Sequence, residues 1–98
     1  MAEYRLTPAA ELDLEDIWTY TTEQWSIEQA ERYTDELTEA LTRLAESPTG
    51  LQSQTCDYIR QGYRRCRVGK HFVYFQLALY GIAIVRILHE RMDAPRHF

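Results

Sequence analysis

The run YRRCRVGKHFVYFQLALYGIAIVRIL, Tyr63 to Leu88, decides the fold. It breaks at Gly69 and again at Tyr80-Gly81 into three segments rich in β-branched and aromatic residues, which is the mark of strands. Tyr63 to Val68 is basic. His71 to Leu79 is aromatic. Ile82 to Leu88 is aliphatic with one arginine, Arg86, in its middle. Tyr80-Gly81 reads as a tight reversal between the last two strands, although a two-residue turn prefers Asn-Gly. The short connections predict mostly antiparallel pairing.

Towards the N-terminus the period changes from two to between three and four. Ala10, Leu14, Ile17, Trp18, Thr21 and Trp25 form one helical stripe. Thr7 precedes it as N-cap, Pro8 occupies the first helical position, and Glu11, Asp13, Glu15 and Asp16 suit the positive end of the dipole. The predicted helix runs from about Pro8 to Gln24. Ser26-Ile27-Glu28-Gln29 starts a second helix with a capping box. Its stripe is Ala30, Tyr33, Leu37, Ala40/Leu41 and Leu44, and Ser47-Pro48-Thr49-Gly50 ends it. Before both helices, residues 3–6 alternate as a short strand. Residues 49–62 read as a polar loop. The order is β-α-α-β-β-β, which predicts a single α+β domain over residues 1–98. In it a helical hairpin packs on one face of a mostly antiparallel sheet.

A chain of 98 residues can bury a core without metal or disulfide staples. The two cysteines, Cys56 and Cys66, are too few for a disulfide framework. No apolar run approaches the roughly 18 residues that span a bilayer. The first residues lack the pattern of a signal peptide, so a cytoplasmic location is expected. The net charge of −4 conceals an asymmetry. Residues 1–55 carry three Lys/Arg against twelve Asp/Glu, and residues 56–98 carry eight against three. An acidic half joined to a basic half suggests one face for an anionic partner, or a helical half with solvated acidic faces.

Both faces of the last two strands are largely apolar, and the two helices cover only one. Strict alternation places Ala83, Val85 and Ile87 on the core side. It leaves Phe72, Tyr74, Gln76, Ile84 and Arg86 on an under-covered side. Such a patch marks a partner site, with Arg86 as its anchor, unless the loop 49–62 or the tail 90–98 folds across it.

Chemistry beyond binding is thinly supported. Cys56, Cys66, His71, His89 and His97 fit no metal-ligand spacing. No nucleophile stands beside a base. Arg64, Arg65, Arg67, Arg86, Arg91 and His89 could hold phosphate and move a proton, or could be interface residues. A continuous basic helix for DNA is lacking. Trp18 and Trp25 lie on the first helical stripe, either in the core or at a partner's rim.

Four runs together resemble the ParE toxins of the RelE/ParE superfamily: Tyr4 to Thr21, Trp25 to Tyr33, Ile59 to Phe75 and Ile84 to Asp93. The most specific parts are the GYR…GKH…YF and VRILHERMD runs. The resemblance implies the RelE-like fold and a toxin that inhibits DNA gyrase and blocks replication. It implies neutralisation by a cognate ParD-like antitoxin in a hetero-oligomer, with operator DNA reached only through the antitoxin. No metal, cofactor, membrane or catalytic residue is implied. Arg64, Arg67, Tyr74, Arg86, His89, Arg91, Arg96 and Trp18 are then the expected contacts for antitoxin or gyrase. In the RelE branch, which cleaves mRNA on the ribosome, His89 and Arg91 would be the catalytic candidates; a non-toxic binding module of the same fold is the other alternative.

Overall fold

Two side chains start the helices. Thr7 accepts a hydrogen bond from the Ala10 N–H at 3.1 Å, and Pro8 follows it, so α1 runs Pro8–Gln24. Ser26 accepts from the Gln29 N–H at 3.0 Å, and α2 runs Ile27–Glu46. The computed structural model describes residues 2–98. Its strands are β1 (Glu3–Leu6), β2 (Ser53–Thr55), β3 (Tyr63–Val68), β4 (His71–Ala78) and β5 (Gly81–His89), and a 3-10 turn covers Ala94–His97. The sheet order is β1-β5-β4-β3-β2. β1 lies parallel to β5, and the other pairs are antiparallel. This is the expected α+β architecture.

Three details depart from expectation. Part of the predicted loop 49–62 forms β2, whose three polar residues pair with Cys66, Arg65 and Arg64. Three polar residues carry no readable period; the pairing comes from the partner strand. The reversal before β5 uses Leu79 and Tyr80, while Gly81 already pairs with Ala78. Gly81 has φ +142°, and a Cβ there would lie 2.0 Å from the Glu3 carbonyl oxygen. Close approach of β1, not the turn, therefore demands the glycine.

The third departure is a register shift between Tyr74 and Phe75. Tyr74 pairs with Arg86 and Phe75 with Ile84, so Val85 is an extra residue in β5. The bulge inverts the alternation. Ile82 and Ile84 face the helices together with Ile87, and Val85 turns to the opposite side. The expectation that Val85 belongs to the helix-side core and Ile84 to the open side is thereby corrected. Side chains of α1 and its approach satisfy the disturbed ladder. The Thr7 hydroxyl donates to the Val85 carbonyl at 2.8 Å, and Asp13 accepts from the Ile87 N–H at 2.9 Å.

Between helices and sheet lies the main core, built around Ile17, Leu37, Leu41, Leu44, Val73, Phe75, Ile82 and Ile84. A second cluster lies on the other side of the sheet. It joins Tyr63, Tyr74 and Leu88 to Cys56 of the β2–β3 connection and Ala94 of the tail, with Ile59, Phe72 and Val85 packed alongside. Both the connection and the tail thus fold across the face predicted to be under-covered. Among the described residues, no helix is long and apolar enough to cross a membrane.

Candidate functional site

The residues that sequence reasoning picked out fall on two surfaces. Seven lie on β3, β4, β5 and the tail, and Trp18 lies apart on α1.

Arg86 is a structural hub and not an open anchor. Its guanidinium grips Asp13 with two bonds of 2.8 Å and donates a third, of 2.9 Å, to the His97 carbonyl. Asp13 is buried and Arg86 half-buried, so this pair is far better shielded than a surface ion pair. Donating to the Asp13 carboxylate raises the Arg86 pKa above its ordinary value. The third bond fixes the tail. Phe98 then packs edge-on against Tyr63 and Tyr74, with ring centroids 5.5 and 5.2 Å apart. Tyr74 is only 2% exposed beneath it, and burial pushes its hydroxyl pKa up. The expectation of Tyr74 as a direct partner contact is corrected: the side chain supports the tail. Arg64 also has an internal role. It donates to the Ser53 hydroxyl at 2.7 Å and ties β2 to β3.

The remaining basic residues are accessible. Arg67, Arg91 and Arg96 are exposed; Arg67 pairs with Glu90, and Arg96 lies 3.2 Å from Asp93. Arg65 stacks over the Phe72 ring at 4.2 Å, which holds a flat cation over this face of the sheet. Arg65 and Arg67 thus flank the Phe72 ring, and Arg91 and Arg96 add exposed charge after β5.

On the helix side of the sheet, at the β3–β4 turn, sits a cluster that sequence reasoning did not assemble. Tyr33 of α2 reaches the β3–β4 turn. Its hydroxyl lies 2.6 Å from His71 Nδ1, donates to the Val68 carbonyl at 3.1 Å and accepts from the Lys70 N–H at 3.2 Å. The His71 and His89 rings meet edge to face at 5.3 Å. His89 Nδ1 accepts the Arg91 N–H at 3.1 Å, so a neutral His89 carries its proton on Nε2. Burial, then the neighbouring His89, lowers the His71 pKa to about 4, and burial raises that of Tyr33. Near pH 7 this is a neutral Tyr–His pair beside a second half-buried histidine, with Arg67, Lys70 and Arg91 nearby in the chain. Only the register shift at Val85 sets His89 opposite His71, so the sequence did not pair them. Tyr33 lies far off in sequence and gave no hint.

Cys56 and Cys66 are both buried free thiols on opposite sides of the sheet, and burial raises both pKa values. Among the described residues, no three His, Cys, Asp or Glu are placed to hold a metal ion.

A helical hairpin on a five-stranded mixed sheet is the RelE-like fold. The chain superposes on the chromosomal ParDE toxin–antitoxin system from P. aeruginosa with a TM-score of 0.76 at 20% identity, covering 91% of this chain and 96% of that one. For the RelBE2 toxin–antitoxin complex of Mycobacterium tuberculosis the TM-score is 0.66 at 17% identity, with 90% and 96% covered. Sequence narrows the class. A family model for the ParE toxin of type II toxin–antitoxin systems, parDE, matches residues 4–94. Toxin ParE1 of Caulobacter vibrioides is 41% identical over 97 residues, spanning 99% of this chain and 98% of its own. Toxin ParE1 of Mycobacterium tuberculosis is 41% identical over 97 residues, spanning 98% and 97%. The chain belongs to the ParE toxin family.

Proposed function

We propose that this chain is the toxin of a two-gene module, that it arrests growth by inhibiting DNA gyrase, and that a ParD-like antitoxin neutralises it in a hetero-oligomer in the cytoplasm. The carrying observation is the family match along nearly the whole length, with relatives 41% identical end to end. The solved systems of this fold are toxin–antitoxin complexes, which supports an antitoxin partner here. The basic residues Arg65, Arg67, Arg91 and Arg96 give such a partner, or gyrase with its DNA, a cationic complement to meet. Operator DNA is reached only through the antitoxin. Purified toxin is expected to inhibit gyrase supercoiling and to leave linearised plasmid. Neither effect at large excess over gyrase would remove the reading.

One observation favours a second reading, ribosome-dependent mRNA cleavage. The Tyr33–His71–His89 cluster gathers side chains able to carry a proton at the β3–β4 turn. That activity would cut mRNA in a translating extract and disappear in His89→Ala and Arg91→Ala. Intact message with the native chain would eliminate it.

A further inference from the structure

β1 closes one edge of the sheet, and among the described residues it pairs only with β5. The Glu3 N–H donates to the Tyr80 carbonyl at 2.8 Å, and the Thr7 N–H donates to the Ile84 carbonyl at 3.0 Å. Main-chain groups alternate sides along a strand, so Glu3, Arg5 and Thr7 turn theirs towards β5. Those of Ala2, Tyr4 and Leu6 point the other way, out of the sheet. A bare edge is a template for another strand unless something blunts it. No lysine or proline interrupts Glu3–Leu6, and its register with β5 is regular.

Its side chains sort by face. Tyr4 and Leu6 pack against the helix-side core, so Glu3 and Arg5 stand on the opposite face. Both are more than half exposed, and they pair with each other at 2.7 Å. The Arg5 guanidinium also lies 4.0 Å from the centre of the Tyr80 ring, which steadies it. This charge pattern is its own complement. Read backwards, Glu3-Tyr4-Arg5 sets an arginine opposite the glutamate and a glutamate opposite the arginine. With Tyr4 facing Tyr4 of a second copy across a two-fold axis, Leu6 of each copy meets Ala2 of the other. The outward main-chain groups are then paired, and Glu3 and Arg5 fall at the closely spaced positions without main-chain bonds. Opposite charges there attract, and like charges repel.

We propose that the β1 edge takes a second copy of this chain: two β1 strands pair antiparallel about Tyr4 and join two five-stranded sheets into one. The surface uses none of the residues assigned to gyrase, antitoxin or mRNA, so it stands whether or not those readings do. The contact is short, so the dimer is weak. The chain is monomeric at about 1 µM and largely dimeric at about 1 mM.

Sedimentation of the full chain across that range reads the association. Glu3→Arg alone gathers only arginines about the axis, and Arg5→Glu alone only glutamates. Each should weaken the dimer about tenfold, with the fold kept because both side chains are exposed; circular dichroism checks this. Glu3→Arg with Arg5→Glu should restore the dimer, and an equimolar mixture of the two single variants should associate as the unchanged chain does. Amide exchange gives the main-chain readout. The Tyr4 and Leu6 N–H groups should slow about fivefold or more as the concentration rises, and the Glu3 N–H, already bonded to Tyr80, should not change. A chain still monomeric at about 1 mM, single variants that associate as well as the unchanged chain, or Tyr4 and Leu6 exchange indifferent to concentration would each overturn the proposal. So would a monomer whose Tyr4 and Leu6 amides slow only when an uncharged extended peptide is added, since the edge would then take a foreign strand.

Discussion

The two helices of the hairpin place their apolar residues by different rules. α2 buries Ala30, Leu37, Leu41, Leu44 and Ala45, and what it exposes is almost wholly polar or charged. α1 buries only Ala10, Asp13 and Ile17, and it exposes Leu12, Trp18 and Tyr20. α2 is therefore shaped by the core alone. α1 answers to three demands at once: it packs on the sheet, it carries the carboxylate that completes the β5 bulge, and it presents aromatic surface outwards. A helix whose apolar residues exceed what its core takes is where a partner should be sought.

The sharpest way to break this contrast is to truncate one buried side chain of α2 and the exposed tryptophan that caps α1. Leu41 is fully buried, so Leu41→Ala should cost about 2–5 kcal/mol through lost transfer energy and a cavity. Trp25→Ala removes a larger side chain and should change stability by no more than about 0.5 kcal/mol. Urea denaturation of both variants checks this, and a comparable loss in Trp25→Ala would show that α1 is held as α2 is.

A second prediction isolates the polar duty of α1. Asp13→Ala should cost about 3 kcal/mol, because it strands the Arg86 guanidinium and the Ile87 N–H together in a shielded site. It should also free the tail, since Arg86 holds the His97 carbonyl. Denaturation gives the first effect. Faster amide exchange at residues 94–98 gives the second, and unchanged exchange there would separate the tail from the ion pair.

These residues also show how far the sequence could be read. Helix limits and caps were legible, because Thr7-Pro8 and Ser26 to Gln29 are local signals with local causes. The face count in β5 was not. Alternation assumes an unbroken ladder, and the bulge at Val85 is fixed by Thr7 and Asp13, some seventy or more residues away. One inserted residue moved Ile84 to the core side, and Arg86 ties to Asp13 where an open anchor was expected. The tail residues read as a basic, irregular end. Their covering role depends on one bond from Arg86 and on Phe98 meeting Tyr63 and Tyr74, contacts with no sequence period. The exposed positions Arg67, Arg91 and Arg96 were legible as accessible charge.

The helix caps repeat the contrast on a smaller scale. Ser26 caps α2 and, among the described bonds, does only that. Thr7 caps α1 and also donates to the carbonyl of the bulged Val85. Ser26→Ala should therefore cost about 1 kcal/mol and Thr7→Ala about 2 kcal/mol, the bulge carbonyl adding to the loss of the cap. Thr7→Ser keeps both bonds and should restore most of the difference in the same denaturation series. Equal costs would mean that the bulge stands without Thr7.

The smallest effect distinguishes how each helix is tied to the sheet. α1 is tied through Asp13 and Arg86, and α2 through Tyr33 and His71. Burial lowers the His71 pKa to about 4, below its ordinary 6.5. The unfolded chain then binds a proton between these values that the folded chain refuses, so stability rises with pH across that window. The contribution is whole above about pH 6.5 and shrinks as the pH falls toward 4. With partial solvent screening this amounts to about 1 kcal/mol between pH 7 and pH 5. His71→Gln has no such proton to bind, so its stability should fall less over the same range. Parallel pH profiles for the two chains would show that the Tyr33–His71 contact does not hold the imidazole neutral.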